Sequence, residues 1–108
     1  MTETPQKLKR GELAAATGIN SETLRFYEKE GLVKPERGAN GYRLYNEEDS
    51  KRIRLTQRAV GVGFSLQEVK TWLEGDAASM ERALVQIDAK GEEIGKLRKS
   101  LKKRLKRL

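Results

Sequence analysis

A chain of 108 residues supports one compact domain with an appendage, and its core must be lean, because 36% of the residues are hydrophobic and 36% are charged. The absence of Cys and His excludes disulfides, thiolate or imidazole metal ligation, and Cys–His or Ser–His–Asp catalysis. With no signal peptide and no apolar run of membrane-spanning length in view, a cytoplasmic location without a membrane partner is expected.

A net charge of +7 favours a polyanionic partner, but its distribution is uneven. Residues 96–108, "KLRKSLKKRLKRL", hold eight Lys or Arg and no acid, leaving 15 basic against 16 acidic residues elsewhere. Nucleic-acid binding by the front of the chain must therefore rest on local clustering.

In chain order, "LKRGELAAATGI" places Leu13, Ala14 and Ala16 on a short helix stopped by Gly18. Asn20 suits the cap of a second helix over 21–30, and Gly31 fits the left-handed position after it. Two short helices across a Gly-containing turn predict a helix-turn-helix. Arg25 and Tyr27 are the candidate contacts on the second helix, with Glu22 and Thr23 at its start; Leu24 belongs to the core. In isolation "LRFYEKEG" reads equally well as an ordinary solvated helix.

Asn40–Gly41 within "RGANG" is a strong hairpin dipeptide, and "YRLY" alternates like a strand. Arg37, Asn40, Tyr42 and Arg43 on this hairpin suit phosphate oxygens and sugar. The competing reading is a structural hairpin that closes over the core through Leu44 and Tyr45.

Asn46 caps a third helix with Glu47, Glu48 and Asp49 in its first turn, and Ile53, Leu55, Ala59 and Val60 are expected on its buried side. Of its arginines, Arg58 is the candidate contact, since it lies near the turn "GVGF"; Arg52 and Arg54 read as solvated. Ser65 and Glu68 form a capping box for a helix through Trp72, with Phe64 and Trp72 as packing residues. Gly75 and Asp76 mark a hinge, dividing the chain into domains 1–75 and 76–108.

The last helix, over about 78–108, carries a heptad-like seam: Met80, Ile87, Ile94, Leu101 and Leu108 recur every seven residues. A second series runs Leu84, Gly91, Arg98 and Leu105, with Leu97 beside its polar middle. Acidic residues occupy the first half of this helix and basic ones the second. A parallel pair would set basic tail against basic tail, whereas an antiparallel pair sets each tail beside its partner's acidic half. An antiparallel two-helix homodimer is expected.

This order of elements, with "GELAAATGINSETLRFYEKEGLVKPER", "NGYRLYNEED" and "VGFSLQEVKTWL", resembles the MerR family of bacterial transcription regulators over nearly the whole chain. The resemblance implies a mainly α fold: a winged helix-turn-helix DNA-binding head followed by a long C-terminal helix forming an antiparallel coiled-coil dimer. It places Glu22, Thr23 and Arg25 at the major groove and Tyr27 at phosphate. It assigns Arg37, Asn40, Tyr42 and Arg43 to the wing, and Arg58 and Gly63 to a second wing. It also implies a dimer that bends and untwists an overlong promoter spacer for RNA polymerase, which the protein need not touch.

Metal-sensing members of the family use cysteines, which are lacking here, so neither metal nor other cofactor is expected. A shortened chain, replaced thiols, or a minimal member answering another cue all fit that departure. The rival readings are an architectural DNA-binding protein without a small-molecule effector, and an interaction module whose basic helix binds an acidic partner or a membrane. No nucleophile–base constellation can be assembled, so an enzyme is not expected.

Overall fold

A computed structural model describes residues 7–108, which divide into two compact units between Leu73 and Glu74. The first carries strand β1 (Leu8–Lys9), helices α1 (Arg10–Thr17) and α2 (Ser21–Lys29), strands β2 (Glu36–Arg37) and β3 (Arg43–Tyr45), and helices α3 (Glu47–Gly61) and α4 (Leu66–Glu74), the last residue of α4 falling past the division. The second is one long helix, α5 (Ala77–Lys106).

Most helix boundaries follow from bonds within a few residues. Gly18, at φ 73°, ends α1 in the left-handed conformation and donates its N–H to the Ala14 carbonyl. The Asn20 side chain accepts from the Thr23 amide at 2.7 Å and starts α2. Asn46 and Asp49 bond reciprocally at the start of α3, side chain to amide at 2.8 and 2.9 Å. Ser65 and Glu68 do the same before α4, at 3.1 Å each way. Asp76 accepts from the Ser79 amide at 2.9 Å and opens α5.

The hairpin turn differs from the tight two-residue loop that Asn40–Gly41 suggests. The Gly41 amide donates to Gly38 O and the Gly38 amide to Tyr42 O, while among the described residues only glycines have positive φ. Asn40 therefore stays right-handed, and Gly41 alone, at φ 76°, takes the left-handed position. The result is a three-residue loop, a turn followed by a glycine bulge.

The three strands form an antiparallel sheet in the order β1-β3-β2, with Leu8 opposite Tyr45, Glu36 opposite Leu44 and Arg37 opposite Arg43. The two-residue β1 is not anticipated from the sequence; pairing on its far side makes the hairpin strand β3 central. Below the sheet, Leu13, Ile19, Leu24, Tyr27, Leu32, Val33, Tyr45 and Ile53 form the core, with Leu8, Leu66 and Leu73 packed against it. Phe64 meets Trp72 edge-on at 4.9 Å between ring centroids, and both are buried, so they are packing residues as expected.

Helix α3 corrects the expected burial. Leu55 and Val60 are exposed, at 41% and 45%, whereas Asp49, Ser50, Ile53, Thr56 and Ala59 face inward. At about 100° per residue, Leu55 points away from the stripe through Ile53 and Thr56, and Val60 lies a quarter-turn beyond Ala59. Polar side chains of α3 also join the elements. Arg54 and Gln57 donate to the Ala16 and Thr17 carbonyls, which α1 leaves open at its end, and Arg52 donates to Leu32 O at 2.6 Å. Arg52 and Arg54 are thus structural rather than merely solvated.

Tyr45 is fully buried and its hydroxyl donates to the Glu28 carboxylate. Burial first, then that hydrogen bond, push its phenol from the ordinary 10.0 up to about 12. Because the folded value lies above the unfolded one, the associated stability is complete below the unfolded value and is lost as pH rises through the folded one. A phenolate absorbance titration, with Tyr45→Phe as reference, should show Tyr45 ionising at about 12. Ionisation at the ordinary phenol value would place the hydroxyl outside the core.

Candidate nucleic-acid interface

Helix α2 presents two opposed faces. Leu24 and Tyr27, three residues apart, are buried, whereas Glu22, Arg25, Phe26 and Lys29 follow the i, i+3, i+4, i+7 spacing and are all exposed. Three of these four carry charge, so the outer stripe can meet polar base edges and phosphates. Phe26, 48% exposed, adds apolar surface of the kind that contacts a thymine methyl. Thr23 lies half-buried beside the Asn20 cap.

Tyr27 departs from the expectation of an exposed phosphate contact. Its side chain is 7% exposed and belongs to the core, because it continues the inward stripe begun at Leu24; burial pushes its phenol up. Any DNA contact from Tyr27 would be limited to the edge of a packed ring.

The hairpin presents its candidate residues differently. Tyr42 is 69% exposed, and Asn40 is exposed at the turn. Arg37 donates from Nη1 to Gly41 O at 2.8 Å, which holds its guanidinium across the loop. Arg43 is half-buried, and its Nε lies 3.1 Å from Glu28 Oε2. Glu28 thereby accepts from Tyr45 with one oxygen and pairs with Arg43 through the other. It ties the C-terminal half of α2 to strand β3, so recognition helix and wing are held by one carboxylate. Sequence reading missed Glu28, since nothing in "FYEKE" distinguishes a bridging carboxylate from a solvated one.

Arg58 is exposed in the last turn of α3, and Gly63 is exposed in the turn after it, at φ 99°. No described group of three or more His, Cys, Asp or Glu side chains is arranged to hold a metal ion.

A helix-turn-helix whose second helix turns a polar stripe outward, followed by a basic hairpin, defines a winged helix-turn-helix protein. Residues 8–76 match the model for MerR HTH family regulatory proteins, and the chain belongs to that family. It is 40% identical to the HTH-type transcriptional regulator HmrR of Rhizobium leguminosarum bv. viciae, over 84% of this chain and 78% of that protein. It is 42% identical to a mercuric resistance operon regulatory protein of Bacillus cereus, but over only 58% of this chain and 48% of that protein. Among solved structures it resembles HiNmlR, described as a MerR family regulator lacking the sensor domain and bound to promoter DNA, with a TM-score of 0.73 and 28% identity over 93% of this chain and 79% of that one. These relatives are regulators of transcription, and the chain is accordingly not an enzyme.

Proposed function

We propose that this protein is a sequence-specific DNA-binding regulator of transcription that acts in the cytoplasm as a homodimer, bending and untwisting promoter spacer DNA. The observation that carries this reading is the outward stripe of α2 set on the same compact unit as the exposed wing residues Arg37, Asn40 and Tyr42. Glu22, Thr23 and Arg25 read the groove, and Arg43, Arg58 and Gly63 meet flanking backbone. The similarity to a family member bound to promoter DNA supports the choice of partner.

Dimerisation is supported by α5, where Met80, Leu84, Ile87, Ile94, Leu97, Leu101, Leu105 and Leu108 are all exposed, from 41% to 99%. Apolar side chains in such a row favour a second helix. Charge separation along α5 selects the antiparallel pairing, as argued from the sequence. Deformation of the spacer then changes how promoter elements face RNA polymerase, without any required contact to the enzyme. Among the described residues no helix is long and apolar enough to cross a membrane, which gives the rival membrane reading no support.

Genomic fragments retained by the dimer, followed by footprinting of the strongest, should reveal a two-fold site inside a promoter spacer. Scattered sites without a dyad would favour an architectural protein instead. Arg25→Ala should weaken binding to that site by about 1–3 kcal/mol in a titration and relax its sequence preference. Unchanged affinity would remove α2 from the groove.

A further inference from the structure

A concave space of about 330 Å³ lies between the hairpin and the start of α1, walled by Lys9, Arg10, Gly11, Arg37, Tyr42 and Arg43. Two of its cations face each other directly, since Arg37 and Arg43 are paired across strands β2 and β3. Like charges in that position repel, and Glu28 neutralises only Arg43. Among the described residues, no ion pair neutralises Lys9, Arg10 or Arg37. Arg10 adds a second anomaly: its Nη2 is buried and has no hydrogen-bond partner. Buried guanidinium N–H groups without acceptors are costly, and such an orphan signals a missing partner.

We propose that this concavity is an oxyanion seat for one phosphodiester of the DNA backbone, with Arg10 as its anchor. An oxyanion there would relieve both anomalies, screening Arg37 from Arg43 and giving the Arg10 fork an acceptor. Pairing Nη2 requires the guanidinium to turn toward the cavity, a rotation open to a side chain that is only half-buried. Side chains rather than the helix end hold the anion, because Glu12 already accepts from the Lys9 amide at 2.9 Å. A backbone phosphate fits better than a free one, because exposed Tyr42 stands in the wall and can pack on the adjoining sugar. Neither Lys9 nor Arg10 stood out in the sequence as a contact, since "LKRG" reads as an ordinary charged approach to a helix.

The inference rests on the proposed DNA-binding function, and its test separates the two. The probe is a short duplex carrying the sequence that the full-length chain enriches from a randomised pool, titrated over a range of salt. Arg10→Gln should weaken binding about tenfold and lower the salt slope by about one per protomer, on the selected duplex and on unrelated duplexes alike. Circular dichroism checks that the variant is folded. Independently of any unfolding, phosphate ethylation interference with the wild type should reveal a backbone position that loses its influence in Arg10→Lys. A neutral methylphosphonate at that position should cost the wild type affinity but Arg10→Gln little more. An unchanged salt slope together with an unchanged interference pattern would overturn the seat while leaving DNA binding intact. Failure of the wild type to bind any duplex would overturn the functional reading itself. If inorganic phosphate raises the melting temperature of the wild type but not of Arg10→Gln, and the DNA slope is unaffected, the seat serves a free phosphorylated ligand and the assignment to DNA falls.

Discussion

Leu101→Asp is expected to turn the dimer into a monomer, read as a halving of mass in sedimentation velocity. Leu101 is 58% exposed on α5 and lines an apolar groove with Ile94, Leu97 and Leu105. It also occupies the heptad series of Met80, Ile87 and Ile94. In an antiparallel pair this row is covered by its counterpart, so the introduced carboxylate would be stripped of water within leucines and isoleucines. Burying an unpaired charge costs several kcal/mol, more than one seam position can offset. The same substitution on a solvated helix face would cost almost nothing. An unchanged dimer mass would therefore remove Leu101 from the seam. Loss of the dimer should also weaken DNA binding, because each protomer would engage its half-site alone.

Glu28→Ala should destabilise the first unit by about 2 kcal/mol, lowering its melting temperature by about 5–10 °C. Two contacts disappear together. Tyr45 is left with a buried hydroxyl lacking its acceptor, and Arg43 loses the carboxylate beside its Nε. The Arg43 side chain is 36% exposed, so solvent screens that ion pair and most of the loss is assigned to Tyr45. Glu28→Gln keeps a carbonyl oxygen for the Tyr45 hydroxyl and should recover the larger part. DNA affinity should fall further in both variants than their folded fractions explain, because β3 would no longer be tethered to α2. Wild-type melting of Glu28→Ala would show that the bridge contributes nothing.

Features set by neighbouring residues were legible in the sequence. The caps at Asn20, Asn46, Ser65 and Asp76, the stop at Gly18 and the hairpin near Gly41 each depend on bonds spanning a few positions, so residue identity and spacing are enough to read them. The same holds for α5, whose seam and charge separation are properties of one helix. The outward placement of Glu22 and Arg25 follows from helical periodicity once Leu24 faces inward.

Where a side chain answers to distant segments, the sequence alone was insufficient. Strand β1 exists because Leu8 and Lys9 find Tyr45 and Leu44 on the far side of the head. Two residues carry no periodicity by which to announce a strand. The direction of Tyr27, the exposure of Leu55 and Val60, and the capping of α1 by Arg54 and Gln57 depend on which neighbours fill the core. Glu28 and Arg10 are the functional counterpart of that limit: each acquires its role from partners on other elements. The sequence by itself determined the helices, their caps, the basic hairpin and the unpaired apolar row of α5, because these arise from local bonding and periodicity. Only the tertiary structure decided which carboxylate ties wing to recognition helix and which arginine is left without a partner, because both depend on contacts that close over long stretches of chain.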